Sequence, residues 1–214
     1  MSKIIYFSRR YTPHDRRFLS ALAKTDHKIH YISLENSGSL LAQHPLPPGV
    51  GSSPALSPRE RVTFSDYPAL LSELLGIIAA VKPDLIHAGP IQRCAFPVAL
   101  LDYQPLVSVS WGYDLIQEAK TDTMWRWITE YTLEHSAVMV GDCNTIRQLA
   151  ISYGMQDERI ITFPWGIDLD HFTPAGESYK NPVSVFTILS TRGWEPIYGV
   201  DTIVQAFALA GKSN

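Results

Sequence analysis

Four arginines and a histidine crowd into one short stretch near the start of the chain, at Arg9, Arg10, Arg16, Arg17 and His14. Guanidinium groups held so close together could bind a phosphorylated or lipid-linked molecule or an anionic membrane surface; a solvated basic loop is the plainer alternative. His87 stands before Ala88 and Gly89 at the end of a short apolar run, where it is either a hydrogen-bond partner for a ligand or a satisfied structural histidine. Trp111, Gly112 and Asp114 end a second such run and pair an aromatic face with a carboxylate, the two groups that would hold a sugar ring and one of its hydroxyls. Asp114 could instead cap the following segment through a backbone N–H. In the stretch PWGID, Gly166 suits a positive φ and Asp168 suits side-chain bonds that pin a turn, while Trp165 could be a cleft wall or simple packing.

These residues need a scaffold, and the apolar pattern supplies one. Short apolar runs alternate with longer amphipathic ones, the pattern of a parallel sheet flanked by helices. Strands are expected at Lys3–Ser8, His27–Leu34, Asp84–His87, Leu106–Ser110, Ala137–Gly141 and Arg159–Phe163, with a further strand at Arg61–Phe64. Helices are expected from about His14 to Lys24, through Leu70–Ile78, around Trp125–Leu133 and from Asn144 to Tyr153. Residues 36–60 hold Pro45, Pro47, Pro48, Pro54 and Pro58 and read as a mobile loop without regular structure. In a sheet of this kind ligands lie at the carboxyl ends of the strands, where His87, Trp111, Gly112 and Asp114 fall. The expected fold class is therefore α/β, a Rossmann-like parallel sheet.

Domain organisation follows from a change of texture near Pro164. Residues 1–165 form the first, Rossmann-like domain; 166–182 are polar, rich in Pro and Gly, and read as a linker; 183–214 hold one strand, Val183–Ser190, and one helix of a second domain. One β-α element cannot bury both its faces, so either the natural protein is expected to continue or this last element is expected to pack onto the first domain as a makeshift edge.

Composition narrows the function. Eighteen Lys and Arg against twenty-one Asp and Glu leave a net charge of −3, which argues against nucleic acid as a partner. Cys94 and Cys143 lie far apart, without CxxC or metal spacing, and read as reduced core thiols of a cytoplasmic protein. No uninterrupted apolar run approaches the ~18 residues that cross a bilayer. The start of the chain is not that of a signal peptide. No dinucleotide, P-loop, zincin or serine-hydrolase motif occurs, so neither a cofactor nor a metal is expected.

From Ala137 onward the order and wording of three segments, GDCNTIRQLAISYG, RIITFPWGIDLDHFTP and ILSTRGWEPIYGVDTIVQAFALA, closely resemble the group 1 (family 4) glycosyltransferases. DLIHAGP and SVSWGYD extend the resemblance more weakly toward the start. The family resemblance implies a GT-B fold, two Rossmann-like domains facing a cleft, with the acceptor held mainly by the first and a nucleotide-sugar by the second. It implies transfer of a hexose-type unit from a nucleotide-diphosphate sugar to a hydroxyl of a glycan, lipid or small molecule, with retention, in polysaccharide or glycolipid synthesis. Arg192 then corresponds to the arginine that neutralises the departing diphosphate; the bland reading is an exposed loop arginine. Arg9, Arg10, His14, His87, Trp111, Gly112 and Asp114 fall to acceptor or sugar binding, and Trp165, Gly166 and Asp168 to the hinge. A cytoplasmic protein with peripheral contact at the inner face of an anionic membrane fits the basic cluster.

The chain departs from the family at three places. SRRYTPHDRR replaces a Gly-Gly loop, Trp111 replaces a histidine, and Tyr198 replaces a lysine. Those changes keep two rivals open: a non-catalytic relative that binds glycans, and a sugar-nucleotide epimerase.

Overall fold

The computed structural model describes residues 1–35, 44–52, 56–173 and 188–210. These residues divide into two compact units, Met1–Gly166 and Ile167–Asn214.

The first unit is built on seven parallel strands: β1 (Lys3–Ser8), β2 (Lys28–Ser33), β3 (Val50–Ser52), β4 (Leu85–Gly89), β5 (Leu106–Val109), β6 (Val138–Gly141) and β7 (Ile160–Thr162). Their order across the sheet is β3-β2-β1-β4-β5-β6-β7, with Tyr6 in register with His87 and His87 with Val107. The order reverses between β1 and β4, and this switch point is where a crevice opens at the carboxyl ends of an open α/β sheet.

The helices are α1 (Pro13–Leu22), α2 (Tyr67–Val81), α3 (Phe96–Leu100), α4 (Tyr113–Ile116), α5 (Thr123–Glu134) and α6 (Asn144–Ser152). α1 starts on a capping box in which Thr12 and Asp15 exchange side-chain and backbone bonds, with Pro13 just inside. α2 ends at Lys82 in a left-handed conformation. The stretch Phe64–Val81 is long and apolar enough to cross a bilayer. In this fold it instead turns Leu70, Leu74, Ile77 and Val81 into the core against Ile5, Phe7, Ile86 and Ala88.

The two faces of the sheet are covered unequally. Alternation sends Ile5, Phe7, Ile86, Leu106, Met139 and Ile160 to one face, where two buried clusters are completed by residues of α2, α3, α5 and α6. On the opposite face, Leu19 of α1 packs with Ile4, Tyr6, Ile29 and Tyr31, over β1 and β2. Farther along that face Val107, Val138 and Val140 are half-buried and Ile161 is 51% exposed.

Four expectations are corrected. Arg61–Phe64 is not a strand: Val62 is a buried plug whose N–H reaches Glu35 at 3.3 Å, and Phe64–Asp66 is a 3-10 turn closed by Thr63 and Asp66. The third strand is Val50–Ser52, inside the stretch read as loop; residues 36–43 and 53–55 lie outside the described residues. Cys143 is exposed, because it occupies the position before the first turn of α6, whereas Cys94 is buried. A π-helical turn, Ile91–Ala95, runs into α3 where Pro90 and Pro97 had masked helical structure.

The second unit contains a 3-10 turn at Pro196–Tyr198 and α7 (Val200–Ala210). Of the strand expected at Val183–Ser190, residues 183–187 lie outside the described set and 188–190 form no strand.

Candidate functional site

At the carboxyl edge of the sheet, aromatic side chains from three segments meet: α1, the turn after β5 and the stretch after β7. Trp111, just past β5, lies 5.5 Å from His14, 5.8 Å from Phe18 and 5.5 Å from Trp165 between ring centroids. Phe163 and Trp165, following β7, stand 6.4 and 5.2 Å from Phe18. Arg17 fixes this arrangement by donating through Nη2 to the carbonyls of Trp165, at 2.6 Å, and Gly166. His14 and Phe163 are exposed and Trp111 is half-buried, so the group is a wall open to solvent instead of a sealed core.

Gly89 allows Trp111 to sit over the end of β4. A Cβ built on Gly89 would lie 2.7 Å from the Val109 carbonyl oxygen, 2.9 Å from Val109 Cβ and 3.4 Å from Trp111 Nε1. Two residues earlier on the same face, His87 packs on Tyr6 with ring centroids 4.7 Å apart. Desolvation lowers its pKa to about 4, so the imidazole is neutral at physiological pH, with one nitrogen a donor and the other an acceptor.

Asp114 is turned into the protein. It is 2% exposed and accepts from Ser110 Oγ at 2.6 Å and from the N–H groups of Leu115, Ile91 and Trp111 at 3.0, 3.2 and 3.3 Å. Burial nevertheless pushes its carboxyl above the ordinary range. Of the two roles open to it in the sequence, these bonds are those of the capping role, in which it locks the loop after β4 to the turn after β5. Gly112 in that turn has φ of 95° and donates its N–H to Ser110 Oγ at 3.1 Å, a conformation that favours glycine.

Arg9 and Arg10 are both tied to Glu35, whose side chain is fully buried. Glu35 Oε2 accepts from Arg9 Nε at 2.9 Å and from Arg10 Nε and Nη2 at 3.1 and 3.0 Å. Burial works to raise the Glu35 pKa, but the bonds and charge of Arg9, the Val62 N–H and Arg10 outweigh it and hold the carboxyl below its usual value. Two cations on one carboxylate leave a net positive charge at the ends of β1 and β2.

Asp15, which the sequence reading passed over, is a second buried carboxylate at this edge, bonded to Thr12 and to the Tyr6 hydroxyl at 3.1 Å. Its signal was the Thr12-Pro13-His14-Asp15 capping pattern.

Gly166 has φ of 65°. In the second unit, Asp168 Oδ1 accepts from the N–H groups of Asp170 and His171 at 3.0 and 3.1 Å, which closes a turn. Arg192 places its guanidinium 5.5 Å from the centre of the Tyr198 ring. It lines a cavity of about 240 Å³ with Ile188, Trp194, Val200, Val204 and Phe207.

A family model, Glycosyltransferase Family 4, matches residues 14–171, most of the chain. The chain belongs to glycosyltransferase family 4. Comparison with curated proteins finds no match. Among solved structures, this family 4 chain is similar to Anabaena HepE in complex with UDP-glucose, with a TM-score of 0.58 at 16% identity, over 82% of this chain and 47% of that one. It is similar to UDP-GlcNAc 2-epimerase from Methanocaldococcus jannaschii, with a TM-score of 0.54 at 16% identity over 76% and 45% of the two chains. The Neisseria meningitidis 2-epimerase bound to UDP-GlcNAc gives a TM-score of 0.53 at 13% identity over 76% and 46%. The chain thus spans under half the length of these relatives, and at such identity the likeness is one of fold: the Rossmann-like sheet of GT-B proteins.

Proposed function

We propose that this family 4 chain supplies the acceptor-side domain of a glycosyltransferase that moves a hexose-type unit from a nucleotide-diphosphate sugar to a hydroxyl of a glycan, lipid or small molecule. The observation that carries this reading is the family match over residues 14–171, which spans the whole aromatic edge. HepE was solved with UDP-glucose and the Neisseria epimerase with UDP-GlcNAc, which supports a nucleotide-sugar as donor.

The residues divide the work as follows. The faces of Trp111 and Trp165 offer apolar surface to a sugar ring, and neutral His87 at the switch point offers one donor and one acceptor to its hydroxyls. Arg192 is assigned to the donor diphosphate, where a guanidinium stabilises charge that grows as the bond to the sugar breaks. Catalysis in this scheme rests on orienting both substrates and on charge stabilisation. A cytoplasmic enzyme working at the inner face of an anionic membrane is part of the same proposal, through the net positive charge that Arg9 and Arg10 leave around Glu35.

The epimerase similarities favour a second reading, isomerisation of free nucleotide-sugar without an acceptor. Calorimetry of the full-length protein against UDP-, GDP- and ADP-sugars, with Arg192→Ala as control, tests the first. Saturable binding that the variant loses, followed by sugar transfer only when acceptor is added, supports a transferase. Conversion of donor without acceptor supports the epimerase, and no binding to any donor leaves a glycan-binding relative.

A further inference from the structure

A second aromatic group lies at the carboxyl edge of the sheet, on the face away from α1. Phe64 stands 5.5 Å from Tyr67 and 5.9 Å from Trp125 between ring centroids. Phe64 is 45% exposed. With Leu34, Arg61, Val62, Thr63 and Arg93 these rings line a cavity of about 170 Å³. That is the space of roughly six waters, and of one monosaccharide ring.

The charge of the lining is one-sided. Arg93 lies 4.5 Å over the Trp125 ring and donates through Nη2 to Glu118 at 2.7 Å, so its guanidinium is held in place with its charge balanced. Arg61 is exposed and has no ion-pair or hydrogen-bond partner among the described residues. Among the described residues, no carboxylate lines the cavity. Behind its wall, Val62 donates to Glu35, the carboxylate that already carries Arg9 and Arg10. The segment bearing Arg61 is thereby anchored to a site of net positive charge.

The cavity's parts also begin in the right places. Leu34 follows β2, Tyr67 opens α2, Arg93 lies in the turn after β4 and Trp125 lies in the first turn of α5. All four are carboxyl-end positions of a parallel sheet, where its ligands bind. An apolar-walled recess of monosaccharide size with an unspent guanidinium at its mouth suits a ring whose C–H face stacks on aromatics and whose substituent is negatively charged.

We infer that the recess between Phe64, Tyr67, Trp125 and Arg61 binds an anionic sugar unit, one bearing a carboxylate or a phosphate, as part of the acceptor. The proposal rests on the glycosyltransferase reading for the word acceptor, but the recess itself can be tested without donor or turnover. The chain is titrated with glucuronate, glucose 6-phosphate and glucose while amide and indole shifts are followed by NMR. At least one anionic sugar is expected to bind about tenfold more tightly than glucose, with shifts centred on Thr63, Phe64, Tyr67 and the Trp125 indole. Whichever of the two binds better names the carboxylate or the phosphate as the recognised group. Arg61→Ala is expected to remove that preference with melting unchanged, since Arg61 supports nothing in the fold, and Phe64→Ala to weaken all sugars alike.

Equal binding of glucose, shifts centred on Trp111 and His14, or no binding of any sugar would overturn the inference. A full-length protein that ignores every nucleotide-sugar while the recess still takes an anionic sugar would remove the transferase reading and leave the recess standing.

Discussion

Replacing Glu35 with glutamine keeps the shape of the side chain and removes its charge, at the place where both first arginines converge. The carboxylate takes three N–H groups from Arg9 and Arg10 on Oε2 and one from Val62 on Oε1. In Glu35→Gln an amide can still accept from Val62, but its NH2 must then face three guanidinium donors. Breaking a fully buried ion pair costs about 3–5 kcal/mol. Here the carboxylate is fully buried while the arginine side chains are 35% and 36% exposed, so water reaches the cations and reduces the loss. A destabilisation of about 2 kcal/mol at pH 7 follows, a fall on the order of 1 M in the urea midpoint.

The acid limb gives a second check. Because the folded pKa of Glu35 lies below its ordinary 4.5, its stabilising contribution is complete above that value and is lost as pH falls through the lowered one. The gap between wild type and variant, followed by circular dichroism in urea at pH 7, 5 and 3.5, should therefore narrow toward acid. A gap below about 0.5 kcal/mol at pH 7, or one that does not change with pH, would refute the idea that a charged Glu35 holds the two arginines.

Gly89→Ala should lower stability by about 2–3 kcal/mol in the same urea titration, because the new methyl meets the backbone oxygen and Cβ of Val109 instead of a side-chain tip that can swing away. A loss under about 0.5 kcal/mol would mean that β4 and β5 are not so closely packed. His87 has a folded pKa of about 4 against an ordinary 6.5, so it stabilises fully above pH 6.5 and loses that contribution as pH falls toward 4, by roughly 3 kcal/mol. His87→Leu should flatten stability between those two pH values, and an unchanged acid slope would show that His87 charges freely in the folded state.

The strands were legible because each is a run of apolar residues buried on at least one face. β1, β2, β4, β5, β6 and β7 lie within one or two residues of where those runs place them. β3 was not legible, since Val50-Gly51-Ser52 is held by its pairing to Ile29–Tyr31 and carries no pattern of its own. Val62 misled in the opposite sense: an apolar residue flanked by polar ones looks like a strand, but it plugs the core from a segment fixed by Glu35.

Trp111 and His87 could be singled out because one follows a readable strand and the other lies toward the carboxyl end of one. The role of Asp114 could not be settled, since its partners Ile91 and Ser110 come from a neighbouring turn and from the strand end just before it. The recess around Phe64 was invisible for the same reason, drawing its walls from four stretches that only the sheet brings together.

The flank of the sheet beyond α1 has a practical consequence. Val107, Val138, Val140 and Ile161 present a strip of branched aliphatic surface that water wets poorly, next to the exposed ring of Phe163. With a net charge of only −3, little repulsion keeps two such strips apart. Concentrating the isolated chain should therefore drive self-association that lyotropic salts such as sulfate promote, as hydrophobic contacts do and ion pairs do not. Purification in low salt, with a mild detergent or glycerol at hand, is the handling this surface calls for.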